Sequence, residues 1–331
     1  MTLPSILFAV RWLVRDTLRQ ARASGVTAAM LLVTAVCTLL CLTVSVRGDR
    51  PPLPTGPGEP PNLLPPSEAV KHSPRDLEGI DVPAGELTLL FGAFRVPLTR
   101  TRGEDVRFVE AVLAGGVADT AGVLLALVWT AGFLPTFLDP ATASVLLAKP
   151  VPRWAVLVGK AAGVLVFVGG QALLFVAAVW TALGLRTGVW DGSVFAAVPL
   201  LLFHFGCFYA VSALLAVTTR STVASVLGTV AVWFGCWWVN YARHVAVTGG
   251  DTAGAGFAVL NAGYWVLPKP ADLGVVLVDA LGARDWFVQV PVLKAAAEQG
   301  ALVPELSLLT SCLLPVVAVA VATWRLARAD Y

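Results

Sequence analysis

The chain has 331 residues, of which 57% are hydrophobic and only 13% charged, with a net charge of +2 and a mean hydropathy of +0.79. A soluble domain carries about 25% charged residues, so this composition excludes an ordinary soluble protein, and no nucleic-acid partner is expected. The apolar residues fall in blocks of about 20, enough to cross roughly 30 Å of hydrocarbon as helices. The expected fold is therefore an all-α polytopic membrane protein with six transmembrane helices, at 26–46, 117–138, 156–183, 194–217, 222–241 and 306–324.

Residues 1–25 form the first unit. Arg11, Arg15, Arg19 and Arg22 recur at spacings of four, four and three, which stacks them on one helical face opposite Ile6, Val10, Leu13 and Val14. An interfacial helix with its cations towards lipid phosphates fits this pattern, with a plain cationic flank as the alternative. The apolar run 26–46 exceeds the core of a signal peptide and lacks a small-x-small exit, so it reads as span one. In the outer segment 47–116, eight prolines lie between Pro51 and Pro66, which predicts an extended tether rather than helix or sheet interior. Alternation of apolar and polar residues around Gly92 predicts a small strand-containing element after it.

Spans two to five occupy 117–241 and enclose a segment at 139–153 that is unlike a solvated loop. Asp139-Pro140 is a helix start, because Asp caps free N–H groups and Pro at the first helical position loses no bond. Pro150 and Pro152 end it, leaving a short apolar cytoplasmic helix with Lys149 and Arg153 beside it. An exposed apolar helix there suggests a docking surface; a helix resting on the membrane is the alternative. Asp119 is expected at the interface. His204 sits in span four, where an ionisable group is a candidate for the substrate pathway and a packing histidine is the competing reading. The outer segment 242–305 is apolar but broken by Pro268 and Pro270 into pieces too short to span, which predicts re-entrant or surface helices. Span six and a cytoplasmic tail complete the chain at 306–331.

With the N-terminus inside, the short inner segments hold Arg11, Arg15, Arg19, Arg22, Lys149, Arg153, Lys160, Arg220, Arg325 and Arg328, against Arg186 in the short outer loop 184–193. Both termini are thus expected in the cytoplasm, with the chain in the cell inner membrane in contact with its lipids. Catalytic and cofactor signals are weak. "VLVGKA" ends like a P-loop, but Trp154 stands where its first Gly is required and Ala161 where Ser or Thr is required. The five cysteines all fall in spans; Cys37 and Cys41 share a face without His or carboxylate company and read as packing. With three His in all, a bis-His haem on facing helices is not expected. Ser212, Ser221 or Ser225 beside His204 would be needed for an intramembrane Ser–His protease, and no nucleophile turn is evident. No cofactor, metal or enzymatic activity is expected of this chain.

The stretch "SVLLAKPVPRWAVLVGK", Ser144 to Lys160, resembles the coupling helix of permease subunits of ABC transporters of the second exporter type: a leucine-rich turn, Lys-Pro, Pro, Arg, then Gly-Lys at the mouth of span three. The wider layout is similar too, with an interfacial first helix, the turn "TTRST" between spans four and five, and broken outer helices before span six. The outer segment 47–116 is larger than in that pattern. The resemblance implies a permease that pairs with a second permease copy or a related one and is driven by separate ATPase subunits. Asp139, Val145, Leu146, Leu147, Lys149 and Arg153 would then form the ATPase-docking surface. A non-transporting membrane scaffold that anchors a cytoplasmic complex is the alternative.

Overall fold

A computed structural model describes residues 3–47, 85–98, 102–138, 152–283 and 290–328. Helix α1 (Leu3–Ala23) meets α2 (Val26–Leu42) at a bend of 69°. Gly25 makes the bend, with φ +76°, a left-handed conformation that a Cβ would strain. Arg11, Arg15, Arg19 and Arg22 are exposed on α1, as their spacing predicts. The opposite face presents Leu13, Thr17 and Ala21, all buried, a stripe at intervals of four.

α2 ends at Leu42, short of the expected 46, because the chain turns into strand β1 (Ser45–Arg47). β1 joins β2 (Gly85–Leu89) and β3 (Phe94–Leu98) in an antiparallel sheet of order β1-β2-β3, with Val46 opposite Leu87 and Leu87 opposite Val96. The Ser45 and Thr88 hydroxyls bond at 2.7 Å. The strand element predicted around Gly92 is therefore present, and it claims the last residues assigned to span one.

The next helical run starts earlier than the expected 117. It comprises α3 (Arg102–Ala111), a π-helical segment (Val112–Gly122), α4 (Val123–Thr130) and α5 (Phe133–Phe137). Glu104 and Asp105 in its first turn suit the positive end of a helix dipole, so polar residues that read as outer loop extend the helix instead. α6 (Arg153–Thr187), α7 (Ala197–Thr219) and α8 (Thr222–Thr248) follow. At the "TTRST" turn Arg220 is left-handed (φ +53°) and Ser221 Oγ accepts from the Ala224 N–H at 3.3 Å. α8 runs past the expected 241, because Arg243 and His244, which look like the end of an apolar span, find partners in the helices that follow. Those are short, as predicted: α9 (Ala255–Val266), α10 (Pro270–Ala280) and α11 (Pro291–Glu298). The chain closes with α12 (Pro304–Ser311) and α13 (Leu313–Arg328).

One end of the bundle is tied by a buried cluster of Leu13, Leu134, Phe137, Val156, Leu157, Ala216, Val217, Ala322 and Leu326, drawn from α1, α5, α6, α7 and α13. The exposed Trp12, Trp154 and Trp324 stand at this same end, in the manner of an interfacial aromatic belt. The opposite end packs the sheet on α2, α3 and α6 through Cys41, Val44, Leu87, Val106, Val179 and Leu183. Among the described residues, five helices are long and apolar enough to cross a membrane, and six if the bent pair α1–α2 counts as one span. This is the architecture of an all-α polytopic membrane protein.

Candidate functional site

The stripe on α1 lies along α6, and two glycines set how closely. A Cβ at Gly159 would come within 2.6 Å of Leu13 Cδ1, and one at Gly163 within 2.6 Å of Thr17 Oγ1. Between them the fully buried Lys160 donates to Asp16 Oδ2 at 2.6 Å and Gln20 Oε1 at 3.2 Å. Its ammonium also stands 4.6 Å from the Phe137 ring centre, a cation–π contact. About two turns earlier, Arg153 Nη1 donates to the carbonyls of Leu326 and Ala327 at 3.1 and 3.2 Å, at the C-terminal end of α13. Asp139, Val145, Leu146, Leu147 and Lys149 lie outside the described residues. The frame on either side of them, α5 and the start of α6, is packed.

Deeper in the bundle, the π segment places Asp119 inward. Asp119 was expected at the interface; it is buried, 5% exposed, because His204 of α7 supplies a partner. His204 Nδ1 and Asp119 Oδ1 are 2.7 Å apart, and Trp233 Nε1 of α8 donates to His204 Nε2 at 3.1 Å. Indole N–H only donates, so Nε2 is the acceptor and the imidazole proton sits on Nδ1, given to Asp119. Both ring nitrogens are thereby engaged, and neither is left for a serine hydroxyl; Ser225 Oγ donates instead to the Ser221 carbonyl. A π segment widens the helix and recurs at functional positions; here it aims one carboxylate across the bundle.

A second buried network, among the short helices that follow α8, was not visible in the sequence. Asp272, in the first turn of α10, is fully buried. Its Oδ1 accepts from Asn240 Nδ2 (2.8 Å) and His244 Nε2 (2.6 Å), and its Oδ2 from the Tyr264 and Ser307 hydroxyls (both 2.7 Å). Asn240 Oδ1 in turn accepts from the N–H groups of Ala271 and Asp272. One carboxylate thus ties α8, α9, α10 and α12. Burial alone would raise the Asp272 carboxyl, but the hydrogen bonds from His244, Asn240 and Ser307 and the His244 charge hold it below the ordinary range. The neighbouring Lys269, buried and donating to Thr310 Oγ1 at 2.6 Å, is pushed down to about 8. Burial is the main cause, Arg243 adds to it and Asp272 opposes it. Arg243 lies flat on Tyr264, 3.9 Å from the ring centre.

All five cysteines are free, and no group of three His, Cys, Asp or Glu able to hold a metal occurs among the described residues. Comparison with protein-family models, curated proteins and solved structures finds no match to this chain.

Two outcomes follow from these networks. His204→Leu strands Asp119 and the Trp233 N–H together, a loss on the order of 2–5 kcal/mol. His204→Gln offers an acceptor to Trp233 and a donor to Asp119, so its unfolding midpoint in detergent stays close to wild type. The Lys269 amine is depressed from its unfolded value of about 10.4, so its buried positive charge costs stability in full below pH 8. That cost is relieved as pH rises from 8 towards 10. The wild-type midpoint should therefore rise with pH over that window relative to Lys269→Met, which should be the more stable of the two at pH 7.

Proposed function

We propose that this chain is the transmembrane permease subunit of an ABC-type transporter, an exporter driven by separate ATPase subunits and completed by a second permease copy or a related chain. The reading rests on the coupling-helix pattern Ser144–Lys160. One structural observation supports it: the Gly159-Lys160 end of that pattern is the joint at which α1 and α6 are bound to each other. Segment 139–151 joins α5 to α6, whose adjacent residues share the cluster that also holds α1, α7 and α13. A push on that segment would be passed to the whole end of the bundle and not to one helix, as an ATPase-driven switch between two arrangements requires.

The exposed arginines of α1, with Arg153, Arg220, Arg325 and Arg328, gather at this end. On the positive-inside rule it faces the cytoplasm of a cell inner membrane, with both termini inside. The chain has no P-loop of its own, so hydrolysis belongs to the partner. The buried His204 and Asp119 fit a structural pair better than a transport path, since neither ring nitrogen is free.

In the docking arrangement Val145, Leu146 and Leu147 enter a groove of the ATPase and Lys149 lies at its rim. Burying each such aliphatic side chain contributes about 1.5–3 kcal/mol. Leu146→Asp and Leu147→Asp should abolish co-purification of the ATPase while membrane insertion and expression persist. Lys149→Ala should be milder, because a rim charge is screened by salt. Retention of a bound, active ATPase by both Asp variants would leave the segment a membrane-surface linker and remove the main support for a transporter.

A further inference from the structure

Halfway along α6, Gln171 stands in a part of the bundle that, Thr34 and Trp129 apart, presents hydrocarbon. Its Oε1 is buried without a hydrogen-bond partner, a costly state for an amide in a spanning helix. Gln171 lines a cavity of about 130 Å³ between α2, the π segment with α4, α6 and α7, together with Met30, Val33, Ala118, Ala121 and Phe205. Small residues of the π segment, Ala118, Ala121 and Gly122, open the space, and the widened π turn sets them back from α6. No charged residue is among its lining. The rim is open towards the bundle's outer surface, where Val33 and Leu125 are 38% and 39% exposed.

We propose that this cavity is a binding site for a compact, uncharged lipophilic molecule that carries one hydroxyl or amide group and bonds Gln171 through it. An apolar cavity of about 150 Å³ accepts a benzene-sized molecule and stays dry when empty, so the volume here fits a short chain or a ring. The absence of lining charge turns away anions and ammonium groups. Depth excludes a phospholipid headgroup, which would have to sink about 15 Å, half the hydrocarbon thickness, to reach the middle of α6. A free acyl tail would fill the space and still leave Gln171 unbonded. The site uses no part of segment 139–151 and stands whether or not the chain is a permease.

The test is photolabelling of the full chain in lipid nanodiscs with 3-azioctanol, an eight-carbon alcohol bearing a diazirine, with adducts mapped by mass spectrometry. Adducts should concentrate on Met30–Thr34 and Val117–Trp129, and 1-octanol should compete several-fold better than octane or octanoate. Gln171→Leu, which keeps the volume and removes the amide, should lower labelling at those positions by about two- to tenfold, the worth of one hydrogen bond. Ala121→Phe should block the mouth and abolish it. Labelling of the outward-facing Leu309 and Val316, 69% and 64% exposed, should stay unchanged in both. Equal cavity labelling in Gln171→Leu and wild type, or adducts no denser in the cavity than at Leu309 and Val316, would overturn the proposal. Should Ala121→Phe not fold, the Gln171→Leu comparison alone decides.

Discussion

A polar group in hydrocarbon has no water to bond and must find its partner within the chain. Lys160 meets that constraint at the point where it matters most for the fold. Its ammonium is enclosed by Asp16, Gln20 and the Phe137 ring, contributions from α1 and α5 that place both on α6. Gly159 and Gly163 let α1 come close enough for the bond to form. Close packing and ion pair are thus one joint: without the glycines Asp16 stands too far away, and without Asp16 the lysine is buried unpaired, a state that costs several kcal/mol.

The same constraint repeats along the bundle axis. In the middle, Asp119, His204 and Trp233 join the π segment, α7 and α8. Beyond α8, Asp272 collects four donors and fixes helices of 8 to 12 residues that could not hold their places by hydrophobic contact alone in lipid. Each network joins elements distant in sequence. Gln171 departs from the pattern, as Trp180 and Thr229 do, with a buried polar atom left unbonded; it also lines a cavity, and the two together point to a ligand and not to another helix contact.

Sequence periodicity reveals what depends on local pattern. The arginine stack of α1, the strands about Gly92, the Ser221 cap and the short helices after α8 all follow from spacing and breakers within a few residues of each other. The boundaries it misses have other causes: strand β1 claims the end of span one, and partners far along the chain decide where α8 ends. The residues at 102–111 and 242–248 look too polar for a spanning helix, and Asp272, Tyr264, Asn261 and the Ala301 carbonyl make Arg243 and His244 tolerable there. Asp119 reads as interfacial for the same reason, since nothing in its neighbourhood announces His204, 85 residues away. The signal that was present is chemical: Asn240, Asp272 and Asp119 are polar residues set in apolar runs, and such residues seldom stand there without a partner.

If α1 and α6 form one unit beneath the segment proposed to receive work, the Asp16–Lys160 contact must carry energy as a pair. A double-mutant cycle on Asp16→Asn and Lys160→Met, read as unfolding midpoints in detergent, measures this most directly. The account predicts that each single variant is destabilised and that the double variant is no worse than the weaker single, a coupling of about 1 kcal/mol or more. Additive losses would contradict it and leave α1 held to the bundle by apolar contact alone.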